Sequence, residues 1–199
     1  MILFTKAHKF LDRITPTSAS ISDEERERLI NYAILVCINV PTAFAFSVNA
    51  LFKSQHLLFT LIFIATGMQI FGWRMIHKGM NPESVFRLNF WLFSALLLYM
   101  AHSGGEGGSK ALWLYTAPLI AFGLLRTREA SYASLLVGLL AILAMHTARN
   151  DMGQAIFSLA FILRLGISYL ILVIVTGSFN ALRHRYWREA RKNHRALEA

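Results

Sequence analysis

The sequence predicts an all-α, polytopic membrane protein with six transmembrane helices and a cytoplasmic C-terminal helix. Hydrophobic residues make up 55% of the 199 residues and gather in six long stretches. Most of these stretches approach the ~20 residues that cross a bilayer as a helix. Lys and Arg residues concentrate in alternate connections, and cationic loops stay in the cytoplasm. Stretch length therefore predicts the class, and charge predicts the orientation.

The six stretches are Ile30–Phe52, Leu57–Ile76, Val85–His102, Ala111–Leu125, Ser131–Ala148 and Ala155–Phe179. Sixteen cations lie in the N-terminal segment, the second and fourth connections and the tail, whereas only Lys53, Lys110 and Arg149 lie on the opposite side. We therefore expect both termini in the cytoplasm and the lipid bilayer as a partner. Residues 1–28 form a cytoplasmic amphipathic or linker segment, 29–180 the membrane domain and 181–199 a cytoplasmic helix.

The net charge of +9 raises the question of nucleic-acid binding. The cations cluster at span ends, where membrane orientation and anionic lipid headgroups explain them, so no nucleic acid is expected as a partner.

The single cysteine, Cys37, cannot form an internal disulfide, and its apolar neighbours predict a buried, inert thiol.

The N-terminal residues precede the first span in two predicted pieces. Residues 1–14 fit either an interfacial amphipathic helix or a disordered start. After the break at Pro16, Ser22 and Glu25 have capping-box spacing and predict a helix that continues into span one. Pro41 in span one and Pro118 in span four predict kinks.

The connection from Ser103 to Lys110 is rich in glycine, which permits left-handed backbone angles and exposed amides. It fits either a flexible hairpin between spans three and four or an extracytoplasmic lip over a pocket.

The run from Ser103 to Pro118, SGGEGGSKALWLYTAP, resembles a pattern of six-span bacterial sensor modules. These are the membrane-associated (MASE-type) modules that precede GGDEF diguanylate cyclase or histidine kinase domains. The positions that carry the resemblance are Gly104, Gly105, Gly107, Gly108, Leu112, Trp113 and Pro118. The resemblance implies a sensory input domain of the bacterial inner membrane, with c-di-GMP as the product of a cyclase output. It also implies a cytoplasmic catalytic domain, which these 199 residues do not contain.

The segment after Phe179 is free of Gly and Pro and rich in helix formers. Its candidate core positions repeat at coiled-coil spacing: Leu182, Tyr186, Ala190, Asn193 and Leu197. A polar Asn193 at such a position would fix the register of a homodimer. The segment fits either a two-helix signalling stalk or a basic tail lying on anionic headgroups.

Arg164 lies about eight residues into span six, where an arginine costs roughly 2.5–3.5 kcal/mol unless it snorkels or is paired. Asp151 and Glu106 are the acids expected on the same side of the membrane. Arg164 therefore either binds an anionic or carbonyl ligand or forms a structural pair within the bundle.

His56, His102 and His146 mark the outer ends of three spans. Convergent imidazoles could bind a metal or haem, but no helix supplies two ligands at i, i+3 or i, i+4. We expect interfacial histidines, no metal and no cofactor.

Four further polar residues lie within the predicted spans and either line a cavity or hydrogen-bond between helices: Asn39, Asn49, Gln69 and Asn89. The sequence contains no phosphate loop, HExxH or GxSxG motif, so catalysis by these residues alone is not expected.

These observations favour a membrane sensor that binds a small or lipophilic ligand near the outer half of the bundle. The candidate ligand residues are Arg164, Glu106, Gly104, Gly105, Gly107, Gly108, Trp113, Tyr115, His102 and His146. The expected output is a diguanylate cyclase, with a histidine kinase or an adenylate cyclase as alternatives. A stand-alone transporter or channel subunit is the alternative from another class.

Overall fold

The computed structural model describes residues 23–104, 106–150 and 152–198. The helices are α1 (Asp23–Phe52), α2 (His56–His77), α3 (Pro82–Ser103), α4 (Thr116–Leu124), α5 (Thr127–Thr147) and α6 (Leu159–Glu198). A 3₁₀ segment, Glu106–Tyr115, lies between α3 and α4. The described ranges contain no β-strand beyond an isolated bridge between Arg149 and Ala155. The all-α prediction is therefore confirmed. Residues 1–14, for which the sequence fits an interfacial helix or a disordered start, lie outside the described residues, as does Ser22.

Within the described ranges, five helices are long and apolar enough to cross a membrane: Glu25–Phe52, His56–His77, Pro82–Ser103, Thr127–Thr147 and Leu159–Arg183. Their outward faces carry large apolar side chains, such as Phe44 (69% exposed), Phe63 (67%) and Leu139 (56%). A water-soluble monomer rarely exposes so much contiguous apolar surface, while lipid solvates it without cost. These features indicate a multi-pass membrane protein.

The side chain of Cys37 is exposed on α1, so the prediction of a buried thiol is wrong.

The structure departs from the sequence prediction at the fourth apolar stretch. The 3₁₀ segment covers its first part, and α4 is a nine-residue helix. Two sequence features account for this division. Glycines open the segment, including Gly108 at φ +78°, and Pro118 cannot donate a hydrogen bond within a helix. Pro118 lies in the first turn of α4, where proline is tolerated, whereas Pro41 lies inside the continuous α1.

Two compact units divide the chain: Met1–Leu96 with Gly123–Leu125, and Leu97–Phe122 with Arg126–Ala199. In the first unit Tyr32 is fully buried, and its hydroxyl donates to the backbone oxygen of Gln69 at 2.9 Å. The Tyr32 ring lies 5.3 Å from that of Phe86. Gly72 leaves room for this contact, since a Cβ there would lie 2.8 Å from the Tyr32 hydroxyl. Tyr32, which no sequence pattern singled out, therefore organises α1, α2 and α3 of this unit.

Small residues organise the second unit. Ala130, Ser134 and Gly138 are buried at four-residue spacing on α5, a pattern that lets membrane helices approach closely. The Tyr169 ring of α6 packs against Gly138, where a Cβ would lie 2.5 Å from the ring. The Tyr169 hydroxyl donates to the Ser134 backbone oxygen at 2.9 Å. α5 and α6 are thus joined by close packing and a buried hydrogen bond.

Candidate functional site

The glycine-rich turn begins where α3 ends, within the second unit. The Gly104 amide donates to the Met100 oxygen at 3.2 Å, and Gly104 then adopts φ +68°. The Lys110 amide donates back to the Gly104 oxygen at 3.3 Å and closes the turn. One residue before α3 ends, His102 Nδ1 lies 3.1 Å from the Ala144 oxygen of α5. The turn is therefore held to α5 by a predicted site residue.

Gly104 and Gly108 form a glycine cradle around the side chains of Ile156 and Phe157. A Cβ at Gly104 would lie 2.6 Å from Ile156 Cγ2, and one at Gly108 would lie 2.9 Å from Phe157 Cε1. Both glycines also have positive φ, which other residues adopt at a cost. Phe157 is buried and stacks on Phe161 with ring centroids 5.4 Å apart. The cradle is thus filled by the protein's own aromatic side chain.

The connection between α5 and α6 brings Ile156 and Phe157 to the cradle. Asn150 organises it, because its Oδ1 accepts from the Gln154 amide at 2.8 Å and from the Met152 amide at 3.1 Å. The Ile156 amide donates to the Ala148 oxygen at 3.3 Å. Side-chain acceptors of this kind are typical of tight turns. The sequence prediction did not include this element, for which the Asn-Asp-Met-Gly run and the Phe157–Phe161 spacing are the available signals.

Arg164 lies on an exposed face of α6. α6 begins at Leu159, so Arg164 is five residues from its start and shallower than the sequence predicted. Its backbone oxygen accepts from the Ser168 hydroxyl at 2.8 Å. The Ser168 hydroxyl also hydrogen-bonds with the hydroxyl of Tyr115 at the end of the 3₁₀ segment. Two predicted site residues, Arg164 and Tyr115, therefore meet through Ser168.

The remaining predicted site residues are divided among other positions. His146 and Trp113 are exposed, His146 in the last turn of α5 and Trp113 within the 3₁₀ segment. Gly107 lies in the 3₁₀ segment. Gly105, Asp151 and the side chain of Glu106 lie outside the described residues, so a pair of Arg164 with either acid stays a prediction. Among the described residues, no group of three or more His, Cys, Asp or Glu is placed to hold a metal ion.

Asn180, Thr127 and Arg183 form an exit clasp, a polar cluster where the apolar part of α6 ends. The Asn180 Nδ2 donates to Thr127 Oγ1 of α5 at 3.0 Å. The Arg183 Nη2 donates to Asn180 Oδ1 at 2.8 Å. Asn180 is buried. The clasp joins the first turn of α5 to α6, and no sequence pattern had singled out Asn180 or Thr127.

The polar residues that the sequence predicts within the spans of the first unit differ in burial. Gln69 and Asn89 are buried, while Asn49 is exposed. Asn89 Nδ2 donates to the backbone oxygen of Val85, in its own helix, at 2.9 Å rather than to another helix.

No model of a protein family, no curated protein and no solved structure matches this chain.

Proposed function

We propose that this chain is the membrane-embedded sensory input domain of a bacterial signalling protein, in which α6 carries the signal to a cytoplasmic catalytic domain. The ligand is small or lipophilic and binds within the second unit, near the glycine cradle. The output of the whole protein is a diguanylate cyclase that makes c-di-GMP. These 199 residues supply the sensing and no catalysis.

The observation that carries this proposal is the continuity of α6. It is one uninterrupted helix of 40 residues, whose apolar part, Leu159–Arg183, runs directly into a basic part that ends at Glu198. At 1.5 Å per residue it is about 60 Å long, twice the ~30 Å of a bilayer's hydrocarbon core. A rod of that length transmits rotation or translation from within the membrane to a domain attached beyond it.

The membrane placement that the proposal needs is six crossings with both termini in the cytoplasm of the inner membrane. Among the described residues, five helices have the length for this. The sixth crossing consists of residues 111–115 of the 3₁₀ segment and the nine-residue α4, since Lys110 and the residues before it belong to the outer connection. At 2.0 Å and 1.5 Å per residue these pieces span about 24 Å, so the crossing requires the ~30 Å hydrocarbon core to thin locally, which has a modest cost.

The cradle supplies the element that a ligand acts on. Phe157 lies directly before α6 and fills the space above Gly108. An apolar ligand that takes the place of the Phe157 ring releases the connection between α5 and α6. A ligand shifts an equilibrium only by its different affinities for the two states, and here it would favour the state with an emptied cradle.

The exit clasp connects this movement to the cytoplasmic side. Asn180 ties α6 to the first turn of α5 through its hydrogen bond to Thr127, and Arg183 holds the Asn180 side chain from within α6. A turn of α6 about its axis therefore has to break the hydrogen bond between Asn180 and Thr127. Beyond the clasp, Leu182 and Tyr186 are 47% and 69% exposed. These side chains begin the stalk in which we place the homodimer contact. The side chains of Ala190, Asn193 and Leu197, predicted for the same contact, lie outside those that the structure describes.

The test joins the full chain, after Ala199, to a diguanylate cyclase domain that is active only when two copies pair correctly. One to seven alanines are inserted after Arg185, and c-di-GMP is measured in cells. Each inserted residue rotates the output by about 100°, so cyclase activity is expected to rise and fall with a period of about 3.6 residues.

The matched control inserts the same alanines between Met152 and Gly153, in the exposed turn that precedes α6. There the insertions change loop length without rotating the stalk, so no periodic activity is expected. An output that falls steadily with stalk length, or that ignores it, would contradict transmission through α6.

A further inference from the structure

Arg164 presents a guanidinium group on a lipid-facing part of α6. It lies inside the apolar part of the helix, Leu159–Arg183, and its side chain is exposed. Its neighbours Leu163 and Ile167 are 55% and 62% exposed. Among the described residues, the Arg164 side chain has no hydrogen-bond or ion-pair partner. In a bilayer such a cation is stabilised when it snorkels to the interface and pairs with an anion there.

The depth of Arg164 defines where that anion is found. Arg164 is five residues from the start of α6 at Leu159, which is about 7.5 Å along the axis. An arginine has a long apolar stem that lies along lipid chains while its head reaches toward the interface. With Leu159 at the edge of the hydrocarbon core, as the proposed crossing of α6 requires, the guanidinium reaches the level of the phosphate groups of the adjacent leaflet.

We infer that Arg164 binds the phosphate of a membrane phospholipid whose acyl chains lie on Leu163 and Ile167. The chemistry is that of a planar fork of N–H donors with two phosphate oxygens, which arginine binds in a bidentate manner. The same fork would accept free inorganic phosphate, but the exposed apolar neighbours provide a surface for acyl chains that free phosphate does not use. The inference rests on the bilayer placement of α6 in the proposed function, and it requires no signalling.

The other polar groups near Arg164 are already engaged. The Arg164 backbone oxygen and the Tyr115 hydroxyl both bond the Ser168 side chain, one turn further along α6. Arg149, in the neighbouring connection, donates from Nη1 to the backbone oxygens of His146 at 2.8 Å and Ala148 at 3.0 Å. Arg149 and Arg164 are thus two arginines of the same unit, one bonded to the chain itself and one exposed to lipid.

The experiment measures lipid binding to the purified full chain by native mass spectrometry. The probe is dioleoylphosphatidylglycerol, and dioleoylglycerol, which has the same chains without phosphate, is the comparison lipid. We expect phosphatidylglycerol to bind the unmodified chain far better than dioleoylglycerol. Arg164→Gln should raise the apparent Kd for phosphatidylglycerol about tenfold, because a charge-assisted pair is lost. Arg164→Lys should fall between the two, since it keeps the charge and loses the fork.

Arg149→Gln is the matched control, because it removes the same charge from an arginine that bonds its own backbone, and its Kd should stay within twofold. Circular dichroism checks that each variant keeps its helix content, and Arg164→Lys keeps the test decisive if Arg164→Gln unfolds. Equal lipid binding by the unmodified chain and Arg164→Gln would overturn the inference. An equal loss in Arg149→Gln, or displacement of the lipid by millimolar inorganic phosphate, would overturn it as well. None of these outcomes alters the stalk-insertion result, so the two proposals fail separately.

Discussion

Individual glycines set how closely the helices of the first unit approach one another. Gly72 of α2 lies where Tyr32, Val85 and Asn89 meet it, and a Cβ there would be 2.7 to 2.8 Å from atoms of all three. Gly67, on the same helix, has nothing within 4 Å of its Cβ position. Two glycines five residues apart on one helix therefore have different physical roles.

We expect Gly72→Ala to destabilise the protein by about 1–3 kcal/mol, because the added methyl group overpacks a buried site against three side chains. The loss would appear as a lower Tm of the purified chain in detergent, followed by circular dichroism. The contact with Asn89 and with the Tyr32 hydroxyl leaves the methyl group no direction in which to relax cheaply.

Gly67→Ala is the matched control for the same helix. It removes backbone entropy from the unfolded chain and meets no neighbour, so it should be neutral or stabilising by up to about 1 kcal/mol. A Tm that falls equally in the two variants would show that α2 tolerates no alanine, and the role given to the Tyr32 contact would be lost.

At the scale of elements, the turn after α3 and the connection before α6 depend on each other. Gly108 has φ +78° and meets Phe157, whereas Gly153 has φ +75° and meets nothing within 4 Å. Alanine at either position pays for the left-handed backbone, roughly 1–2 kcal/mol. Only at Gly108 does it also displace an aromatic ring.

We therefore expect Gly108→Ala to lower the free energy of unfolding by more than Gly153→Ala. The excess measures the contact between the turn and Phe157. Phe157→Leu should cost less in the Gly108→Ala background than in the unmodified chain, since the ring is already displaced there. Thermal unfolding of the four chains in one double-mutant cycle measures this coupling. Additive losses would mean that the cradle does not hold Phe157.

The elements differ in how far the sequence could predict them. The ends of α2 and α3 follow from apolar length and flanking charge, and both lie within a few residues of the prediction. The division of the fourth stretch was not predicted, because hydropathy measures apolar length and does not register a change from α to 3₁₀ geometry. The glycines that open the segment and Pro118 were the available sequence signal for this division.

The candidate site shows the same limit. Gly104 and Gly108 were identified from the sequence, but Phe157, which fills the space between them and α6, was not. Its role depends on a contact between residues 49 positions apart, counted from Gly108. A single sequence carries no signal for such a pairing. The burial of Tyr32 and the clasp at Asn180 were missed for the same reason.

At the scale of the whole molecule, the number of crossings decides on which sides the two termini lie. An even number leaves them on one side, and an odd number separates them. In the part of the chain that the structure describes, five helices have the length to cross, so the 3₁₀ segment with α4 determines the parity. Leu112 and Leu119, in the two halves of this pair, are 53% and 54% exposed, as expected of side chains that face lipid.

We predict that the pair crosses the membrane, and that a reporter fused after Arg126 will establish this. Green fluorescent protein fluoresces in the cytoplasm, and alkaline phosphatase is active outside it. With six crossings, fusions after Met80, Arg126 and Leu197 fluoresce, and a fusion after Gln154 has phosphatase activity. If the pair does not cross, Arg126 and Leu197 acquire phosphatase activity and Gln154 fluoresces, while Met80 is unchanged. The cationic Arg126 and Arg128 favour the first outcome, since the alternative puts them and the basic end of α6 outside. Phosphatase activity at Leu197 would separate α6 from any cytoplasmic output and end the proposal of a sensory input domain.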